Sequence, residues 1–246
     1  SEAGVILKGL TPGEPPDFTP SLSIEAEGVS VHGFTIQTVT VTDDDLYATM
    51  IHVHATNVEI YDNNFQISSG TVKKISEVVG VVTDDDVSGL YIHDNNFTAS
   101  GTGNKIDLQA IYINPQTGLG PITIESNTIG GALKRGIATE RSNTIITGNS
   151  ISSTLPPGGL GTEKIGDAWC GIAIGIWYQT ISIGTIEITD NIVNDYKFGI
   201  ELGRDGVTIT STVLTGNTLE DNAKGIHVVT SADEIEIHQN NIYDEV

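Results

Sequence analysis

The sequence has few cysteines, few basic residues and no long apolar run. Cys170 is the single cysteine in 246 residues, so an intramolecular disulfide cannot stabilise the fold. Lys and Arg together number 11 against 32 Asp and Glu, which gives a formal net charge of −21. A surface of this charge repels nucleic acid and anionic membranes. No apolar run approaches the roughly 20 residues that span a bilayer, so we expect no transmembrane segment.

One short pattern recurs along the chain, and it predicts the fold. Its form is apolar-x-apolar-x-x-Asn-x-apolar, as in residues 58–65 and 90–97. Further copies centre on Asn127, Asn149, Asn191, Asn217 and Asn240. The distance between copies varies from 22 to 42 residues, as between Asn127 and Asn149 and between Asn149 and Asn191. A constant core with variable spacing indicates a coil of fixed cross-section that carries loops of different length.

A second apolar strand lies between successive copies. Its inward residues form a column, which consists of Ile51, Val81, Ile111, Ile137, Ile172, Ile200 and Ile226. Stacked short strands can bury a continuous core that no single coil buries alone. We therefore expect an all-β fold: a single-stranded, right-handed parallel β-helix (a solenoid) of about eight coils, about 4.8 Å apart.

The recurring Asn has a structural explanation. Asn tolerates a left-handed backbone at tight turns, and stacked side-chain amides can hydrogen-bond from coil to coil. The pattern thus predicts an Asn ladder in which the Asn itself occupies the left-handed position.

These repeats resemble those of the pectate-lyase-like superfold, and most closely the parallel β-helix repeats of NosD-like surface proteins. Residues 4–9 and 28–36 are similar to the usual first coils of that group. The resemblance covers nearly the whole chain and implies the fold. It implies function only weakly, because this fold carries lyases, hydrolases, epimerases, adhesins and inert scaffolds.

The domain organisation and location follow from the same pattern. We expect residues 1–246 to form one β-helix domain, a module of a longer exported protein that is extracellular or at the cell surface. The ends lack the usual polar caps, which predicts end-to-end contact with flanking domains or with another copy. Export is expected from fold and composition alone, because no signal peptide is recognisable.

A row of polar residues predicts a site beside the second strand. Three positions after the inward column, four consecutive coils present His54, Asp84, Asn114 and Glu140. The adjacent outward row contains Tyr112 and, further along, Glu201, as candidate substrate-binding residues together with Asn114. Long loops follow the same coils, with 23 residues from Asn149 to Ile172, and are expected to wall this face. Trp177 and Tyr178 would add aromatic surface at its edge.

Two chemistries fit this row. Asp84 and Glu140 lie two coils apart, roughly 10 Å, which approaches the carboxylate separation of an inverting glycoside hydrolase. Alternatively, Asp84, Asp85 and Asp86, together with Glu140, would hold Ca²⁺ that bridges to a uronate, with Arg141 or His54 as the catalytic base of a lyase. The predicted partner in both cases is a polysaccharide or cell-surface glycan.

A non-catalytic role is the alternative. The motifs of polygalacturonase-type hydrolases are missing apart from the acidic run at Asp84, and three arginines give little material for a lyase-like basic cluster. Outward residues of a solenoid are polar in any case. A structural or adhesive surface module therefore remains open, and the sequence leaves catalysis undecided.

Overall fold

The structure is a computed structural model that describes residues 6–7, 19–38, 47–68, 77–83, 87–101, 107–114, 120–157, 167–176, 182–204, 206–229 and 231–243. All regular secondary structure within these ranges is β-strand. The strands form three sheets of nine, eight and eight strands. Every pairing between neighbouring strands is parallel, for example between Asn96–Ser100 and Thr128–Gly131.

Each of the three sheets is a stack of strands from successive coils. The first sheet consists of Ile6–Leu7, Thr35–Gln37, Asn64–Ser68, Asn96–Ser100, Thr128–Gly131, Ser150–Ser152, Ile192–Asn194, Thr218–Glu220 and Asn241–Tyr243. The second sheet consists of Thr19–Ile24, Tyr47–Val53, Glu77–Thr83, Asp107–Ile113, Arg135–Thr139, Cys170–Ile174, Phe198–Leu202 and Lys224–Val228. The third sheet consists of Ser30–His32, Glu59–Tyr61, Leu90–His93, Ile122–Glu125, Thr144–Thr147, Ser182–Thr189, Thr208–Thr215 and Ser231–His238.

Each coil contributes one strand to the third sheet, the next to the first sheet and the last to the second sheet. One coil runs through Leu90–His93, Asn96–Ser100 and Asp107–Ile113. The expected all-β parallel β-helix is therefore confirmed. The sequence pattern suggested two strands in each coil. The repeat around the Asn in fact contains two strands, one before and one after the turn, and the strand of the second sheet makes three. The Asn ladder spans six turns, from Asn63 to Asn240, while the described strands stack eight or nine deep in the three sheets.

The Asn ladder joins the coils at the turn between the third and first sheets. The Asn127 side chain donates hydrogen bonds to the carbonyl oxygens of Ile92 (2.9 Å) and Glu125 (3.0 Å) and to Oδ1 of Asn149 (3.0 Å). Its own Oδ1 accepts the backbone N–H of Asn95 at 3.1 Å. Because one amide satisfies groups in its own coil and in both neighbours, it fixes the register of three coils at once.

The left-handed position of this turn was predicted at the wrong residue. The residue before each ladder Asn has the positive φ, with values of 52° at Asp62, 53° at Asp94 and 55° at Ser126. Gly148 occupies the same position with a φ of 63°. The Asn itself keeps an ordinary backbone, because its side chain must point into the turn to reach both neighbouring coils.

The interior is a set of apolar columns in which each residue packs on its counterpart one coil away. The predicted column from Ile51 to Ile226 is confirmed by the strand register, which pairs Ile111 with both Val81 and Ile137. Phe65 and Phe97 stack within the core, with ring centroids 4.3 Å apart. Burial of these side chains along the whole stack supplies the main stabilisation of the fold.

The outer face of the third sheet carries a histidine, His93, that contacts two carboxylates. Both ring nitrogens of His93 meet carboxylates, Nδ1 with Asp94 at 2.8 Å and Nε2 with Glu59 at 3.2 Å. The ring also stacks between Tyr61 and Tyr91, at centroid distances of 5.1 Å and 4.0 Å. Partial burial alone would lower the pKa of His93, but the two carboxylates raise it above its ordinary value of 6.5.

Removal of one ladder amide should destabilise the whole stack. We expect Asn127→Ala to lower the free energy of unfolding by about 2 to 4 kcal/mol, because buried backbone groups lose their partners. Urea denaturation followed by circular dichroism measures this change. Asn96→Ala is the control, since Asn96 is exposed, and its cost should stay below about 1 kcal/mol. Equal costs would contradict a special role for the ladder.

The His93 contacts should make stability depend on pH. A pKa that is raised in the folded state stabilises the fold fully below 6.5, and this contribution is lost as the pH rises through the folded pKa. We expect His93→Gln to lower the melting temperature clearly at pH 5.5 and much less at pH 9. Thermal melts of both proteins across this range measure the difference. A constant difference at all pH values would show that His93 acts only by packing.

Candidate functional site

The outer face of the second sheet contains the outward row that the sequence predicted. The register aligns Tyr112 with Val82 and with Ala138 in the neighbouring coils. The row then continues through Ala173 to Glu201, and His52 and His227 lie at its two ends. The alignment of these strands is therefore as expected.

A second outward row lies beside the first and was not predicted. It consists of Thr49, Val79, Gln109, Arg135, Cys170, Phe198 and Lys224. Strict alternation would place Gln109 and Tyr112 on opposite faces. Both face outward, because Ala110 and Ile111 between them both pack into the core.

Glycines mark this break in alternation. The position of Ala110 is occupied by Gly136 and Gly171 in the next two coils, where the backbone comes very close to its neighbour. A Cβ on Gly136 would lie 2.6 Å from the carbonyl oxygen of Gly171, and one on Gly171 would lie 2.0 Å from Cγ1 of Val193. The repeated glycine was thus the sequence signal for the second row.

Most of this face is buried, although the sequence predicted a row of substrate-binding side chains on it. Val82, Ala138 and Ala173 are fully buried on the outer side of the sheet. Trp169 and Phe198 pack there at 5.6 Å, edge to face, in a small apolar cluster with Cys170 and Ile176. Tyr112 is half-buried and packs against this cluster. The second sheet is therefore covered on both faces in its central coils, as parallel sheets commonly are.

Glu201 organises the polar part of this cluster. Its side chain is buried, and Oε2 accepts hydrogen bonds from Trp169 Nε1 at 3.0 Å and from the Cys170 thiol at 2.8 Å. Its Oε1 lies 3.4 Å from Nδ1 of His227, whose ring stacks on Phe198. Glu201 was predicted to bind substrate. The structure shows it as the acceptor that holds Trp169 and Cys170 in place.

Basic side chains concentrate at this sheet. Lys134, Arg135, Arg141 and Lys197 are all buried on or directly beside its strands, and they are four of the 11 basic residues of the chain. The Lys134 ammonium pairs with Asp107 Oδ2 at 2.6 Å. The Lys197 ammonium lies 3.6 Å from the centroid of the Trp169 ring. Buried carboxylates, Glu140 and Glu201, lie at the same sheet, so the basic groups there occur beside acidic ones.

Gln109 is the most unusual residue of this face. Its side chain is fully buried, between Val79 and Arg135 in the outward row. Within the described part of the chain, neither its side-chain nitrogen nor its oxygen has a hydrogen-bond partner. Oδ1 of Asp107, two residues away, also lacks one. An unsatisfied buried amide costs about 1 to 3 kcal/mol, so its retention requires an explanation.

The predicted catalytic residues of the described chain lie at the end of these strands. Glu140 is 2% exposed, and its Oε1 accepts the backbone N–H of Ile176 at 2.7 Å. Arg141 follows it and is fully buried. His54 is partly exposed, with Nε2 3.6 Å from Glu25 Oε1. Asn114 donates from its side chain to the carbonyl oxygen of Thr83 at 2.6 Å, so its amide is used between coils.

Several predicted site residues lie outside the described residues. These are Asp84, Asp85 and Asp86, predicted as catalytic or calcium-binding residues, and Trp177 and Tyr178, predicted to contact substrate. Among the side chains that the structure does describe, no three His, Cys, Asp or Glu residues are grouped so that they could hold a metal ion. The calcium site therefore stays a prediction.

Comparison with known proteins decides the family. A family model described as a right-handed beta helix region matches residues 79–242, two thirds of the chain. The chain belongs to the right-handed β-helix family. Searches of curated proteins and of solved structures found no match.

Membership of this family is consistent with a surface or polysaccharide-related module and specifies no ligand. The described residues of the β-helix include no helix that is long and apolar enough to cross a membrane. Any indication of function must therefore come from the side chains on the faces of the β-helix.

Replacement of the buried amide tests whether it supports the fold. We expect Gln109→Leu to leave the urea midpoint unchanged or to raise it, because Leu fills a similar volume without an unsatisfied polar group. The matched control is Asn127→Leu, which removes a buried amide whose hydrogen bonds are all made and should lower the midpoint strongly. A comparable loss in both variants would show that Gln109 is structural.

Proposed function

We propose that this β-helix binds polysaccharide on the outer face of its second sheet, as a module of an exported or cell-surface protein. The observation that carries the proposal is the buried Gln109 amide, which has no partner among the described residues and lies beside Arg135. Sugar hydroxyls both donate and accept hydrogen bonds, so they match an amide that offers two donors and an acceptor oxygen.

The charges on this face favour a sugar that carries carboxylates. Lys134, Arg135 and Lys197 are buried there, and Lys134 already pairs with Asp107. Cations near a low-dielectric face attract an anionic group more strongly than exposed ones do. Half-buried Tyr112 supplies an aromatic ring at the margin of the same face. Uronate polymers are therefore the proposed ligand of the second sheet.

The proposal also includes cleavage of the bound polysaccharide. A lyase or hydrolase would use Glu140 with Asp84, and His54 or Arg141 as base, with Ca²⁺ held by the acidic run of Asp84, Asp85 and Asp86. Glu140 is fixed by its hydrogen bond from Ile176, which supports a defined orientation for its carboxylate.

The second candidate is a non-catalytic structural or adhesive module. One observation favours it: Glu140, Arg141 and Gln109 are 2%, 0% and 0% exposed, so none of them presents its polar group openly to a polymer. A buried carboxylate that accepts a backbone N–H is also a common way to fix a loop.

Binding is tested with Gln109→Leu against polygalacturonate and alginate in affinity electrophoresis. We expect at least a tenfold loss of affinity, equivalent to about 1.4 kcal/mol, because the apolar side chain cannot bond a sugar hydroxyl. Thr215→Val on the third sheet is the control and should bind as the parent does. If Gln109→Leu retains full affinity, the second sheet is not the binding face.

Catalysis is tested by measurement of released chain ends. The protein is incubated with uronate and neutral polysaccharides, with calcium or with chelator. We expect calcium-dependent release that disappears in Glu140→Gln while binding persists. The absence of release on every polymer would leave the non-catalytic module as the function.

A further inference from the structure

The outer face of the first sheet is almost free of charge. Within the described strands of this sheet, Glu220 is the single charged residue. The strands of the third sheet carry six carboxylates, which are Glu59, Glu125, Glu187, Asp233, Glu234 and Glu236. In a chain with a net charge of −21, a neutral face of this length marks a surface for contact.

The face consists of two parallel rows, mostly of amides and hydroxyls, which Ile192, Gly130 and Glu220 interrupt. One row is formed by Thr35, Asn64, Asn96, Thr128, Ser150, Ile192, Thr218 and Asn241. The other is formed by Gln37, Gln66, Thr98, Gly130, Ser152, Asn194, Glu220 and Tyr243. All of these residues are partly or fully exposed.

Neighbouring amides in these rows are already ordered. Gln37 donates from Nε2 to Oε1 of Gln66, and Asn96 donates from Nδ2 to Oδ1 of Asn64 at 3.1 Å. Each amide retains further hydrogen-bonding capacity toward solvent. Because these side chains are held by one another, a ligand loses less entropy in ordering them.

The size of the face argues against a second copy of the chain as its occupant. Seven steps of about 4.8 Å make a length of roughly 34 Å, and three residues make a width of roughly 10 Å. Two such faces would bury roughly 700 Å², below the approximately 1,200 Å² of a stable protein interface. A narrow, long and polar surface fits an extended polymer chain better.

We propose that the outer face of the first sheet binds a neutral polysaccharide whose chain lies along the axis of the β-helix. The rows present hydrogen-bonding groups at every coil and no basic residue, so the face matches hydroxyls and has nothing to attract a polyanion. This surface is separate from the second sheet and does not depend on the site proposed there.

The test is depletion of the protein from solution by microcrystalline cellulose, chitin and starch granules. We expect retention on at least one of them, equal at 0.1 and 1 M NaCl, because no ion pair is involved. Thr98→Glu should weaken this retention at least tenfold, since it places a carboxylate in the middle of the rows. Ser150→Glu is a second variant with the same expectation, and urea midpoints confirm that both are folded.

A control variant separates this face from the third sheet. Thr215→Glu adds the same charge to the third sheet and should be retained as the parent is. The proposal is wrong if none of the three polymers retains the parent protein, or if Thr215→Glu weakens retention as much as Thr98→Glu. It is also wrong if sedimentation shows a dimer that Thr98→Glu dissociates, because a second copy would then occupy the face.

Discussion

The stack of coils depends on hydrogen bonds that repeat at the same place in every turn. The backbone ladders alone would tolerate a slip of a strand, since one parallel register resembles the next. The ladder amides remove this freedom, because Asn127 bonds to backbone groups of its own coil and the preceding one, and to Asn149 in the next. A chain with one cysteine has no covalent alternative. The Asn turn is therefore the fixed corner of each coil, and the connections at the other two corners can differ in length.

The connections differ in length only at the remaining two corners of the coil. As a result, the three faces differ in their exposure to solvent. The turn between the third and first sheets is always short, so both adjoining faces stay open to solvent. The spacing of the repeats changes instead on either side of the second sheet, as between Ser150–Ser152 and Cys170–Ile174. Trp169, in the longest of these connections, packs on its outer side, where Ala138 and Ala173 are buried. One fold thus provides a covered face with buried charges and two open ones.

The sequence predicted what repeats and missed what departs from the repeat. The inward column from Ile51 and the outward row through Tyr112 were predictable, because each follows a fixed offset within the coil. The row of Gln109 and Arg135 was not predictable, because two consecutive residues, Ala110 and Ile111, both point inward and interrupt the alternation of inward and outward side chains. Burial of Glu140 and Glu201 was also missed. A single sequence shows the length of a loop but not the direction in which it folds over a strand.

The covered and open faces imply different ways of binding. A ligand of the second sheet would replace missing hydrogen bonds at Gln109, where the polar group is already desolvated, so each new bond yields more free energy than one made in water. Access would require movement of the covering residues, which slows association. On the first sheet, bonds compete with water and each is weak, but the rows repeat them at every coil, so the affinity of a long polymer grows with the number of coils that it contacts. A module that used both faces would hold a neutral polymer on the first sheet through many weak contacts. It would select an anionic sugar on the second sheet through a few strong ones.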